Sequence, residues 1–436
     1  MMKKQILLPL VVLFTSACVA CVNENPTGVI TPTPAQDLNI ENEAVSHYLT
    51  TSNAIWGPKV GIPGKDFFDE ERDYRPDFPN CKHLIFSNQT ATTATVYLST
   101  DADFSHLLLN DEVALLDGQG QYTLRNFVPG KIYYYKVVAN NGIVLTSGAL
   151  NITGQLRMIT LDRGYNIRDL GGWKGLAGKT VRYEQIYRGA SLGGMDMYGN
   201  TSDITDADKT ELFRLGLRAQ LDLRSPQNSG LYAGETSLHS YSRGETTLLS
   251  ADFINIPLDL GAYNRDASPV QAIAWLIQEL KAGRPVYFNC RQGADRTGTL
   301  AFVIEGLLGC NEYTNANGGN QMAMDYELTG FSRARFVDNV DLGSSYRPAV
   351  AVYNNPQKLF RQLLDMEAGI EGIHLETLQQ KCYYYLNRYF KNGENPFVQD
   401  PAAQISISKD DLDWFIMYML DMNENEYSAF RPEWAI

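Results

Sequence analysis

The stretch Val286-Tyr-Phe-Asn-Cys-Arg-Gln-Gly-Ala-Asp-Arg-Thr-Gly298 carries the reading of the whole chain. Val286 to Phe288 is an apolar run with the length of a buried strand. Cys290 closes it, Arg296 follows after five intervening residues, and Thr299 to Leu308 is apolar with helical character. The pattern is strand, tight loop, helix. A loop that feeds a helix N-terminus points backbone N–H groups inward, and with the helix dipole they form an anion site. A concavity of successive N–H groups suits a phosphate. Gly293 lets the backbone turn without a Cβ clash. Arg296 offers a planar fork of donors for two phosphate oxygens. Cys290, beside these positive ends, is expected to ionise near neutral pH and to act as a nucleophile. Arg291, Gln292, Gly293, Ala294, Asp295, Arg296 and Thr297 form the expected phosphate-binding set.

On these residues the sequence resembles cysteine-dependent tyrosine and dual-specificity phosphatases. The longer form, Cys-x-x-Gly-x-Asp-Arg-Thr-Gly, is similar to a bacterial tyrosine-phosphatase-like family that includes phosphoinositide-active enzymes. Asn166-Ile-Arg-Asp-Leu-Gly-Gly172, Tyr187-Arg-Gly-Ala-Ser-Leu192, Leu221-Asp-Leu-Arg-Ser225 and Asp325-Tyr-Glu-Leu-Thr329 match the same pattern in the same order. The resemblance implies an α/β cysteine-phosphatase fold, a mostly parallel central sheet flanked by helices. It also implies phosphomonoester hydrolysis through a phosphocysteine, without metal or cofactor. The substrate would be a phosphorylated protein, a phosphoinositide or an inositol phosphate. Two positions depart from the family: Asn289 stands where a His usually precedes the nucleophile, and Ala294 where Lys is common. An inactive phosphate-binding module and a rhodanese-like sulfurtransferase are the competing readings; the Arg-Thr-Gly exit argues against the second.

A general acid must protonate the leaving oxygen. Three aspartates compete. Asp259 follows a predicted strand and lies 31 residues before Cys290, a separation like that of dual-specificity phosphatases. Asp295 sits in the loop itself. Asp222 ends a predicted strand. Asp259 ranks first, and Arg168 with Asp169 reads as a structural ion pair.

Residues 1–21 read as a lipoprotein-type signal. Lys3 and Lys4 precede a short apolar run, Ile6 to Phe14, too short to span a bilayer, and Cys18 or Cys21 is the lipidation candidate. The expected location is the bacterial cell envelope, with contact to a membrane only through the lipid. Of six cysteines, Cys81, Cys290, Cys310 and Cys382 lie beyond this region, without a metal-ligand spacing; Cys310 and Cys382 read as buried apolar residues. With 37 basic against 50 acidic residues the net charge is −13, which argues against nucleic acid as a partner and leaves phosphate capture to local groups.

Residues 22–80 read as a Pro-containing tether followed by loop with little regular structure. Residues 81–157 alternate with period two, and Phe127-Val-Pro-Gly-Lys-Ile-Tyr-Tyr-Tyr-Lys-Val-Val138 resembles a late strand of fibronectin type III modules, which implies a small all-β sandwich. Residues 158–436 alternate strands with helices and end in a helical part: Gln357 to Ala368, His374 to Phe390 and Lys409 to Asp421. The leader generates a direct expectation. The mature protein begins at a lipid-modified Cys18 or Cys21 and fractionates with membranes. Mass spectrometry of the mature N-terminus checks it, and a soluble chain starting beyond Cys21 overturns it.

Overall fold

The computed structural model describes residues 34–50, 79–162, 164, 166–192, 204–224, 251–258, 267–290, 292–331, 336–337, 340–341, 355, 358–366, 373–387 and 406–434. The first half is a two-sheet β unit. Strands β1 (Gln36–Asn39), β2 (Lys82–Ser87), β3 (Thr93–Ser99), β4 (Leu107–Ala114), β5 (Gln119–Leu124), β6 (Ile132–Ala139) and β7 (Val144–Thr153) divide into a five-stranded sheet, β1-β7-β6-β3-β4, and a pair, β2-β5. Alternation dictates the packing. Tyr133, Tyr135 and Val137 of β6 face inward, as do Ala94, Val96 and Leu98 of β3, against Leu84 and Phe86 of β2. The aromatic-rich stretch is core rather than a ligand platform: Phe127 meets Tyr133 edge-on at 5.1 Å, and the Val128 amide donates to the Tyr133 hydroxyl at 3.1 Å. Strand β7 runs on through the polar stretch Thr146-Ser-Gly148, where a Cβ at Gly148 would lie 2.7 Å from the Tyr135 hydroxyl.

The second unit holds a six-stranded sheet in the order β12-β11-β13-β10-β9-β8, formed by β8 (Met158–Ile159), β9 (Ile167–Asp169), β10 (Ile186–Gly189), β11 (Ala219–Asp222), β12 (Asp252–Asn255) and β13 (Val286–Asn289). Strands β12, β11, β13 and β10 run parallel, and β9 and β8 extend the sheet antiparallel to their neighbours. Every residue of β10, β11 and β13 is buried, as sheets covered on both faces require.

Nine helices are described: α1 (Glu43–Thr50), α2 (Asp206–Arg214), α3 (Ser268–Lys281), α4 (Asp295–Leu307), α5 (Gln321–Glu327), α6 (Leu359–Leu364), α7 (Leu378–Asn387), α8 (Lys409–Leu420) and α9 (Glu424–Tyr427). Helix α4 is buried from Arg296 to Leu307, enclosed by α3, α5, α6 and α7. Short β14 (Phe336–Val337) and β15 (Val340–Asp341) form a separate pair.

Residues 22–80 differ from expectation. Gln36 and Asp37, placed in the tether, belong to β1, which lies parallel to β7 at the sandwich edge. Residues 43–50, expected as loop, are helix α1, and Val45 and Tyr48 are fully buried in the core of the second unit. Its apolar stripe, Val45, Tyr48 and Leu49, spans barely one turn, too short a signal to see without its acceptor surface. The Tyr48 hydroxyl donates to Glu327 at 2.8 Å, and Glu41 accepts from the Gln155 and Leu156 amides at the connection between units. Arg157 reinforces that connection. It donates to the Asn126 and Phe127 carbonyls on one side and to Asp169 and the Tyr187 hydroxyl on the other.

Tyr48→Phe therefore leaves the Glu327 carboxylate short of a donor in a buried place, and should cost about 1–2 kcal/mol. Urea unfolding measures it; an unchanged midpoint would show that α1 contributes nothing through this contact.

Candidate active site

Strand β13 delivers Cys290 to the end of the parallel sheet, and the chain turns immediately into α4. Cys290 is 3% exposed. Gly293 has φ +70°, and a Cβ there would lie 2.4 Å from the Gly189 carbonyl carbon, so this turn accepts only glycine. The next residue, Ala294, is the N-cap of α4, and no side chain caps the helix. Thr205 caps α2, Asn320 α5, Ser408 α8 and Asn423 α9, whereas α3 and α6, like α4, have no side-chain cap. A helix start without a side-chain cap has first-turn amides that an anion can meet.

Arg296 is 6% exposed. Its Nη1 reaches only the Leu223 carbonyl, at 3.4 Å, and its Nε has no partner among the described residues. The Thr297 hydroxyl is buried and equally without one. A buried guanidinium this poorly satisfied is costly unless an anion completes it. Asp295 accepts from the Tyr326 hydroxyl at 3.3 Å, and Tyr326 packs where a Cβ on Gly298 would stand 2.6 Å from its ring. Arg291 and Asp259, two of the residues singled out in the sequence, lie outside the described residues.

Asp222 is buried at the end of β11, and its oxygens accept from the Arg224 amide, Nε and Nη2 at 2.6–3.0 Å. Both of its oxygens are thus engaged by Arg224. Asn289, in the place of the usual His, is part of the same layer. It accepts from Gln220 at 2.8 Å and donates to Asp222 at 3.3 Å and to the Cys290 carbonyl at 3.4 Å.

The Arg168–Asp169 pairing does not occur. Successive side chains in a strand point to opposite faces, so neighbours in β9 cannot meet. Arg168 instead donates through Nε to Asp325 at 2.9 Å, through Nη2 to the Asp325 carbonyl and through Nη1 to Asn166. Asp169 accepts from Arg157 and from the Gly171 and Glu184 amides. Arg188 also pairs with Asp325 and donates to the Gly293 carbonyl at 3.1 Å, and Asn166 donates to the Gln292 carbonyl at 2.8 Å. Sequence reasoning quoted the motifs holding Asn166, Arg188 and Asp325 but gave none of them a task. Their separation in the chain, more than 100 residues from the loop for Asn166 and Arg188, hid that all three converge on it.

Glu305 of α4 completes this buried cluster. Burial, then the Asp325 charge, pushes its carboxyl well above the ordinary value. For Asp325 burial acts the same way, but Arg168 and Arg188 outweigh it and hold its carboxyl below the ordinary value. The pair is thus pushed apart, Glu305 upward and Asp325 downward. By contrast, Cys310 and Cys382 are buried thiols pushed upward by desolvation, as their apolar reading anticipated, and are unreactive. No cluster of three or more His, Cys, Asp or Glu suited to a metal occurs among the described residues. A cleft of about 870 Å³ lies between the sandwich and α2, lined by residues such as Tyr122, Arg157, Glu211 and Arg214, and shares no residue with the Cys290 loop.

The class implied by this geometry agrees with comparison to known proteins. Residues 159–368 match the profile of the tyrosine phosphatase family, just under half the chain. The "Putative tyrosine-protein phosphatase" of Cupriavidus necator is 26% identical over 200 residues, covering 40% of this chain and 67% of that protein. Both similarities support phosphatase activity on a phosphorylated substrate.

Glu305 yields a pH prediction. Its folded-state pKa lies above the unfolded value near 4.5, so its contribution is complete below that value and is lost as pH rises toward the folded pKa. Glu305→Gln keeps a neutral donor at every pH. Its stability relative to the wild type should therefore climb by about 1.4 kcal/mol per pH unit through that window. Thermal melts from about pH 5 to about pH 8 check this; parallel curves would mean that Glu305 is ionised in the fold.

Proposed function

We propose that residues 158–436 hydrolyse phosphomonoesters through a phosphocysteine intermediate at Cys290. The observation that carries this reading is the buried, under-bonded Arg296 in the first turn of an uncapped helix directly after a cysteine loop. Dianionic phosphate supplies what both lack: oxygens for the guanidinium fork and for the amides.

In the first step the Cys290 sulfur forms a bond to phosphorus while the ester P–O bond breaks. A general acid passes a proton to the departing oxygen. In the second, water attacks phosphorus, the S–P bond breaks, and thiolate and inorganic phosphate are released. With Asp222 engaged by Arg224, the acid is Asp259 or Asp295. The spacing of Asp259 favours it, and the Tyr326 bond favours a positioning task for Asp295. The description of the Cupriavidus protein supports a phosphotyrosine protein as substrate. The leader supports an exported, lipid-anchored enzyme, and the fibronectin-like strand pattern supports a sandwich that spaces the catalytic unit from its anchor.

The test is a set of variants on one activated and one poor leaving group. Cys290→Ser should abolish turnover while keeping the fold and phosphate binding, orthovanadate should inhibit the wild type, and chelators should not. Asp259→Asn should slow the poor leaving group by roughly 10²-fold or more and spare the activated one. Full activity in Cys290→Ser, or its loss with EDTA, sinks the thiolate mechanism. Selective loss in Asp295→Asn, with Asp259→Asn unaffected, moves the acid into the loop.

A further inference from the structure

We propose that Asp325 is a positioning residue for anion binding, the anchor from which two arms orient the peptide planes of the Cys290 loop. The inference rests on the phosphate-binding reading of that loop.

In a trans peptide the C=O and N–H of one plane point in opposite directions. Whatever holds the carbonyl therefore aims the amide. The Gln292 carbonyl accepts from Asn166 at 2.8 Å, which turns the Gly293 N–H the other way. The Gly293 carbonyl accepts from Arg188 at 3.1 Å, which does the same for the Ala294 N–H. Gly293 at φ +70° followed by Ala294 at φ −99° gives the alternating backbone in which successive amides converge on an anion. Two adjacent donors are thus aimed from behind, by side chains on the far side of the loop.

Both arms end on Asp325. One oxygen takes Arg188 directly. The other takes Arg168 at 2.9 Å, and Arg168 in turn donates to the Asn166 oxygen at 2.7 Å, fixing which face of that amide meets Gln292. All four side chains are buried, with 3% exposure or less. Arg168 and Arg188 both pair with the Asp325 carboxylate, so the two arms share one anchor behind the loop.

A merely structural cluster predicts lost stability and unchanged anion affinity in whatever still folds. A positioning cluster predicts the reverse. Asn166→Gly suits the φ of +53° there, adds no charge and removes the donor to Gln292. Arg188→Lys keeps the charge but gives up the planar fork that serves Asp325 and Gly293 together. In the full chain carrying Cys290→Ser, calorimetry with inorganic phosphate should show affinity weakened roughly tenfold in each variant, the scale of one lost hydrogen bond to a charged system. In the Cys290 protein, KM and the inhibition constant for orthovanadate should rise by the same factor, and circular dichroism should report a native fold. Folded variants that bind phosphate like the wild type overturn the proposal. Asp325→Asn should weaken phosphate most, and Asn166→Gly, which alters no charge, decides the question even where that variant unfolds. If the wild type binds phosphate without turning over aryl phosphates, the hydrolytic reading fails and the affinity comparison still judges Asp325. If it binds no phosphate, both fail.

Discussion

A helix buried at its N-terminus leaves amides that must be satisfied, and α4 is buried along its length with no side chain at its cap. Much of the second unit is arranged around that constraint. The parallel strands β10, β11 and β13 end at one edge, so the loop after β13 has the β10 exit on one side and the Leu223 carbonyl on the other. Gly293 is the close contact that allows it: the chain passes within Cβ distance of Gly189 and Ala190. Burial elsewhere in α4 is ordinary core packing, with Phe302 and Phe360 rings 4.3 Å apart. In its first turn the buried Arg296 Nε and Thr297 hydroxyl have no partner among the described residues, as is true of one Glu305 oxygen further along, and a guanidinium fork is complemented by an anion.

The same unit is stiffened from outside its own sequence span. Helix α1 precedes the sandwich in the chain yet contributes Val45 and Tyr48 to the second core, with Tyr48 bonded to Glu327. Glu327 lies two residues from Asp325, on the helix that backs the loop. The sandwich is held on by the four hydrogen bonds of Arg157 and by the pairs Arg125–Asp162, Lys131–Glu184 and Arg214–Asp111. The exposed pairs contribute little singly; Arg157, almost fully buried, is the contact whose loss would expose unsatisfied carbonyls on both sides.

What could be read in the sequence is what short-range pattern encodes. The strand expected over Val286–Phe288 appears as Val286–Asn289, and the helix expected over Lys409–Asp421 as Lys409–Leu420. The first is a continuous apolar run and the second has Ser408 as its cap, so chain neighbours decide both. What escaped depends on partners distant in the chain. Helix α1 is short and makes sense only against the second core. The pairings of Arg168 and Asp169 followed strand geometry rather than adjacency. Gln357–Ala368 shortens to Leu359–Leu364 among the described residues.

The limit of local pattern shows most clearly in the acidic residues of the site. Asp222 and Asp295 each have an arginine within two residues in sequence, whereas Asp325 has none nearby. Their surroundings give them different chemistry. Asp222 is closed by Arg224, bonded through backbone and guanidinium alike. Asp325 lies between two buried arginines that hold its carboxyl below the ordinary value, while burial pushes Glu305 upward. A carboxylate in either setting is an anchor, since giving up its charge would leave a guanidinium buried without a counterion. Asp295 is half-buried at the mouth of α4 and accepts from the Tyr326 hydroxyl at 3.3 Å. Asp222 has both oxygens engaged by Arg224, which is why the comparison of leaving groups is set between Asp259 and Asp295.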